Sequence, residues 1–267
     1  MPLVTGAVLP HGGGLIQGFE EAKGDYRILR DSIKTCSKMI MSHSPDTIVL
    51  VTPHNLRIRG HMGIINAEHL TGVLSNNGRS VKIDVSTDRI LAERIYFLAE
   101  RKGLPAVLVN YGTDSGDNSR MPLDWGAIIP LYFLNPLKSL VLITPSREIP
   151  WIELVKMGNC IDEAACESEG KVAFIASADQ AHAHSKTGPY GYNAAASRFD
   201  KLIFKLLSEE KLNELIKIDK KLVENAKPDS LWQMLILAGA LQKHDFRLRY
   251  IQYDCPSYYG MLMAVFY

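Results

Sequence analysis

Neither sign of charge dominates this sequence: 30 Lys and Arg stand against 29 Asp and Glu, a net charge of +1 at pH 7. That balance excludes the basic footprint of a nucleic-acid surface and of an anionic-membrane patch. No stretch approaches the roughly 20 continuous apolar residues that span a bilayer. The opening Met1-Pro2-Leu3-Val4-Thr5-Gly6 lacks the basic start and apolar run of a secretory signal. The four cysteines, Cys36, Cys160, Cys166 and Cys255, form neither a CxxC pair nor a metal-finger spacing. Reduced, mostly buried thiols are the expectation, which fits the cytoplasm. The glycine patterns of nucleotide loops, GxGxxG and the P-loop, are missing too. The run Gly12-Gly13-Gly14 makes a turn or lets the backbone pass close to a ligand.

What is present is an ordinary globular composition, 46% apolar and 22% charged over 267 residues, within reach of one hydrophobic core. Strand-length apolar runs alternate with segments of helical period. Val4–Pro10 reads as a strand, and Thr47–Val51 as a strand buried on both faces. Between them, Ile28, Leu29, Ile33, Cys36, Met39 and Ile40 recur at helical spacing. Further strands are expected at Met62–Ala67, Ser80–Val85, Leu104–Val109, Leu140–Thr144, Lys171–Ser177, Phe246–Tyr253 and Gly260–Tyr267. Helices are expected over Thr87–Lys102 (stopped by Gly103), over Pro150–Glu167 and over most of Ala194–Leu241. The alternation predicts an α/β fold with a mixed, mostly parallel central sheet and helices on both faces. No repeat or linker divides the chain, so one domain over 1–267 is expected.

The chemistry gathers at strand ends. Leu9-Pro10-His11 closes the first strand and Thr52-Pro53-His54 the second. In an open α/β sheet, ligand sites lie outside the carboxyl ends of the strands. Two adjacent strands would therefore deliver both imidazoles to one rim, each on backbone stiffened by a proline. Imidazole is a frequent metal ligand, but two histidines alone are equally compatible with unrelated surface loops. A third histidine follows another strand in Ala178-Asp179-Gln180-Ala181-His182, and then comes the aromatic loop Thr187-Gly188-Pro189-Tyr190-Gly191-Tyr192.

Together these segments resemble the class III, LigB-type extradiol ring-cleavage dioxygenases. The resemblance rests on Pro10-His11-Gly12, Pro53-His54 and the small-Asp-x-small-His stretch Ala178–His182. It also rests on Leu123-Asp124-Trp125-Gly126-Ala127-Ile128-Ile129-Pro130-Leu131 and on the helix Leu235-Ile236-Leu237-Ala238-Gly239-Ala240-Leu241. It implies His11 and His54 as two ligands of a mononuclear metal, Fe(II) first and Zn²⁺ or another divalent ion as alternatives. It implies His182 as the acid/base, a role suited to imidazole. Asp124 falls within the catalytic set, and Trp125, His184 and Tyr190 on the substrate side, with Tyr192 as a further wall. The partners implied are a catechol-type diol and dioxygen, and homo-oligomer formation is left open.

Two departures mark this chain. The family's carboxylate ligand is a glutamate shortly before the Gly-Ala-Leu helix, where this sequence reads Glu224-Asn225-Ala226-Lys227-Pro228-Asp229-Ser230. Asp229 is the nearest candidate and Glu224 the fallback; Asp229 also reads as a plain first-turn helix carboxylate. The second departure is Trp125, where the family has a histidine. Both departures favour a first rival, a Memo-like metal-binding or interaction protein; a Zn²⁺-dependent hydrolase using the same ligands is the second.

Overall fold

The computed structural model describes residues 3–20 and 24–267. Met1 and Pro2, part of the opening stretch read above, lie outside the described residues. The strands are β1 (Leu3–Leu9), β2 (Thr47–Val51), β3 (Met62–Ile65), β4 (His69–Asn76), β5 (Arg79–Thr87), β6 (Ala106–Val109), β7 (Arg120–Pro122), β8 (Ser139–Pro145), β9 (Val172–Ser177), β10 (Leu248–Asp254) and β11 (Met261–Phe266). The α-helices are α1 (Arg27–Met41), α2 (Arg89–Arg101), α3 (Trp125–Phe133), α4 (Trp151–Glu167), α5 (Ala195–Ser208), α6 (Lys220–Ala226) and α7 (Leu231–Leu241).

All the described strands belong to one sheet, whose main path runs β10-β11-β1-β9-β2-β8-β5-β4-β7, with β3 and β6 joined through β8. The centre is parallel: β1 with β9, β9 with β2, and β2 with β8. Antiparallel pairs, among them β1 with β11 and β4 with β5, complete the mixed sheet. Contrary to the expectation of adjacency, β1 and β2 are not neighbours, because β9 lies between them. The short β3 pairs with β8 and β6 with β3, so chain order does not follow sheet order there.

The continuous apolar runs are explained by cover on both faces. In β2, Val49 and Val51 join one core while Ile48 and Leu50 join the other. Helix α1 presents Leu29, Ile33, Cys36 and Ile40, one buried stripe, to the second core, which α3 shares. Helices α2, α4, α5 and α7 cover the opposite face. Burial pushes the Cys36 thiol up to about 12, so it is an inert core residue. Among the described residues, no helix is long and apolar enough to cross a membrane.

Candidate metal centre

Three parallel strands end at one rim. His11 lies two residues beyond β1, His54 three beyond β2, and the Asp179–His182 segment follows β9 between them. The insertion of β9 is what brings the third motif into the centre. A fourth arm comes from the break between α6 and α7, where Lys227 adopts a left-handed conformation (φ 57°) and Pro228 delivers Asp229.

Three of the arms converge on one carboxylate oxygen of the fourth. Asp229 Oδ2 is 3.3 Å from His11 Nε2, 3.4 Å from His54 Nε2 and 3.9 Å from His182 Nε2. Potential ligand atoms of His11, His54 and Asp229 all lie within 4.8 Å of one another. The other Asp229 oxygen accepts the Asp179 backbone N–H at 3.0 Å. Asp229 thus precedes α7 and its carboxylate is spent on the rim, not on capping the helix. Glu224 is exposed on α6 and lines a different hollow.

His11 and His182 are each set by a partner behind the ring, and His54 is held through its neighbour Asn55. His11 Nδ1 lies 2.9 Å from Ser177 Oγ, and that hydroxyl donates to the Gly126 carbonyl at 2.5 Å. With its hydroxyl hydrogen directed at the Gly126 carbonyl, Ser177 accepts Nδ1–H, which leaves Nε2 as the atom facing Asp229. Beside His54, Asn55 takes a left-handed turn (φ 70°), and its side chain accepts from Asp124 N–H at 3.1 Å. Asp124 returns the bond by accepting Asn55 N–H at 2.5 Å and also caps α3 through Gly126 N–H. Gly126 is glycine for want of room: a Cβ there would stand 2.6 Å from Thr52 Oγ1 and 2.9 Å from the His54 ring. His182 Nδ1 faces the Gln180 carbonyl at 2.9 Å, so the neutral ring carries its proton there and leaves Nε2 basic.

Burial and charge oppose each other here. Burial alone would lower the His11 pKa, but the carboxylates of Asp179 and Asp229 outweigh it and lift it to about 9. Burial would raise Asp229; the His11, His54 and His182 imidazoles instead hold it well below the usual carboxylate range. Asp179, beside them, is raised by burial in spite of His11. A divalent ion bound at this rim would replace a proton, so uptake should weaken as pH falls.

The cavity over the cluster measures about 230 Å³. Trp125 and Tyr190 line it, the first with its ring 4.6 Å from that of His54, the second 5.5 Å from that of His182. The remaining expected residues lie elsewhere. Asp124 and Tyr192 are outside the lining, Asp124 serving as the brace just described. His184, expected on the substrate side, gives its Nε2 to Asp200 Oδ2 at 2.7 Å. Asp200 also accepts Tyr253 O–H at 2.6 Å and Ala181 N–H at 2.9 Å, bracing the His182 loop from behind. Gly260 leaves that carboxylate its space, since a Cβ would come within 2.3 Å of Asp200 Oδ2. Sequence reasoning gave no role to Asp179, although it sits in the quoted motif, nor to Ser177, Arg147, Tyr258 and Tyr259, which come from separate segments and carry no local pattern.

The sequence model of the family described as the catalytic LigB subunit of aromatic ring-opening dioxygenase matches residues 6–266. The chain belongs to the LigB family. A curated relative, Protein CA_C1420 of Clostridium acetobutylicum, is 28% identical over 254 residues, 92% of this chain and 54% of the relative. The chain therefore spans about half the length of that protein. The crystal structure of an uncharacterized protein, JW3007 of Escherichia coli K12, superposes with a TM-score of 0.62 at 16% identity, covering 98% of each chain. That likeness shows a shared fold. In this LigB chain the donor set of two imidazoles and one carboxylate suits a divalent metal with positions left open for other ligands.

The His184–Asp200 pair carries a pH signature. The hydrogen bond to Asp200 raises His184 from 6.5 to about 9, against its burial. The folded state holds this proton more tightly than the unfolded chain does. The stabilisation is therefore complete below about pH 6.5 and lost as pH rises through about 9, a change of up to roughly 3 kcal/mol. Urea denaturation of the wild type and of His184→Gln at pH 6, 7.5 and 9.5 checks this. Their difference should shrink as pH rises, and a pH-independent difference would show that the pair is not what stabilises the loop.

Proposed function

We propose that this LigB-family chain is a non-haem Fe(II)-dependent extradiol dioxygenase that opens the ring of a catechol-type diol with dioxygen. The observation that supports it is the convergence of His11, His54 and His182 on one oxygen of Asp229 at the mouth of a small aromatic-lined cavity. In this reading His11, His54 and Asp229 hold the metal, which when bound brings diol and oxygen together and carries electron density between them. The residues do the rest. Ser177 orients His11, and the Asp124–Asn55 brace orients His54. His182, with Nε2 free of its backbone partner, takes the proton of a diol hydroxyl and later returns it. Trp125 and Tyr190 bound the ring.

One observation favours the Memo-like alternative. At the position where the family motif carries a histidine, Trp125 stands at the start of α3 with its ring beside His54, and indole N–H does not substitute for imidazole as a proton carrier. Reconstitution with Fe(II) under anaerobic conditions, followed by oxygen uptake over a panel of catechols, tests the proposal. Stoichiometric consumption of oxygen and diol is expected. Tightly bound iron with no oxygen uptake across the panel would replace the enzyme by the metal-binding protein.

A further inference from the structure

The strap between β10 and β11 carries Tyr258 and Tyr259 to the cavity over the metal centre. It begins with Cys255, a half-buried free thiol. The sulfur has one weak hydrogen bond of its own, to the Ser257 carbonyl at 3.6 Å, and lies within reach of the His184 ring and the Tyr253 hydroxyl. His184 Nε2 is already taken by Asp200 Oδ2 at 2.7 Å, and the same oxygen accepts Tyr253 O–H at 2.6 Å. Thiol, imidazole and buried carboxylate therefore follow one another, brought in by the strap, by the loop after β9 and by α5. Among the described residues, the group of His, Cys or acidic side chains whose ligand atoms gather within 4.8 Å is His11, His54 and Asp229. Cys255, His184 and Asp200 are thus strung out as a relay, not closed round a point as metal ligands are.

A nucleophile, an imidazole beside it and a third group that fixes the imidazole make a weak nucleophile reactive. The bond to Asp200 holds His184 as an imidazolium, and a positive charge next to sulfur favours the thiolate. Burial and Asp200 push the Tyr253 phenol up, so it keeps its proton and adds no second negative charge. The other cysteines lack this setting. Cys36 and Cys160 are buried. Cys166 is exposed on α4, but its thiol faces Asp162 Oδ1 at 3.9 Å, and burial and that carboxylate both oppose ionisation.

We propose that Cys255 is a reactive thiol site that reduces hydrogen peroxide and is itself converted to a sulfenic acid. The thiolate attacks one peroxide oxygen, an S–O bond forms and the O–O bond breaks. Sulfur is oxidised by two electrons and keeps that oxygen as S–OH. The other oxygen leaves as hydroxide and takes the His184 proton to become water. A half-buried sulfur favours so small a reagent over a bulky electrophile. The strap is also tied to the acid/base loop: Gly260 N–H donates to the Ala181 carbonyl at 3.0 Å, and His184 N–H to the Tyr258 carbonyl at 3.2 Å. A change at Cys255 therefore passes into the segment that carries His182.

The thiol chemistry is independent of what the metal site turns over, and it is read without turnover. The reduced full chain, loaded with Zn²⁺, is exposed to hydrogen peroxide at pH 7 in the presence of dimedone, and each cysteine peptide is quantified by mass spectrometry. Cys255 should be trapped at least about 10-fold faster than Cys166, although Cys166 is the more exposed of the two. His184→Gln and His184→Asn should each bring Cys255 to within about 3-fold of Cys166, while buried Cys36 and Cys160 stay unlabelled and so report an intact fold. Equal rates at Cys255 and Cys166 in the wild type would overturn the thiol site. So would an advantage at Cys255 that survives both substitutions in a folded chain.

Discussion

Asp229→Ala is expected to lower divalent-metal affinity by well over about 100-fold, since even a residue that merely orients a ligand is worth 10–100-fold. The expectation follows from how the side chain is spent. One oxygen accepts the Asp179 backbone N–H, and the other faces three imidazoles. Removing it leaves the triad with two imidazoles and without the carboxylate that offsets the charge of the ion. A structural cost accompanies the loss, because the buried N–H of Asp179 is left without its acceptor, worth about 1–3 kcal/mol. Metal titration by calorimetry and urea denaturation of the apo protein separate the two effects. A fall in stability with unchanged metal affinity would make Asp229 a structural carboxylate. Glu224→Ala is the control: exposed on α6 and absent from the lining of the cavity over the cluster, it should change neither quantity.

The rim was legible in sequence wherever one residue had to follow one strand. Pro10-His11 and Pro53-His54 announced themselves because a strand buried on both faces leaves a continuous apolar run, and whatever polar residue ends it must emerge at the edge. The preference for Asp229 over Glu224 could be stated from motif spacing. What decides the geometry is the left-handed turn at Lys227, which no propensity of lysine suggests. Sheet order was not legible. The insertion of β9 between β1 and β2 is a long-range pairing, set by which apolar faces fit together, and nothing local to any of the three strands encodes it. Asp124 shows the other limit. A motif aspartate reads as chemistry, but here its oxygens and N–H are taken up by Asn55 and Gly126, so its effect on the site passes through His54. His184 shows a related limit, since two histidines two residues apart look alike until Asp200, from α5, claims one of them.

That difference between the two histidines gives the sharpest test of the enzyme reading. His182→Ala should leave metal affinity within about 3-fold of wild type and cut catechol-dependent oxygen uptake by about 10²–10⁴-fold, the usual worth of a positioned acid/base. The ring lies stacked near Tyr259 (centroids 5.3 Å apart, 18° between planes) with Nδ1 against the Gln180 carbonyl, so the geometry commits Nε2 to the cavity. At 3.9 Å from Asp229 Oδ2 it is the most distant of the three imidazoles from the shared carboxylate, as befits a group that meets substrate and leaves the ion to others. His184→Ala should behave differently. Its loss strips Asp200 of a partner while Tyr253 O–H and Ala181 N–H remain, so the expected damage is to stability, with turnover falling by less than about 10-fold. Iron content, urea midpoint and steady-state oxygen uptake measured on both variants distinguish the roles. Equal losses of turnover would mean that both substitutions simply loosen the loop. A His182→Ala protein that keeps its activity would assign the proton transfer to another group at the rim, with buried Asp179 the first to examine.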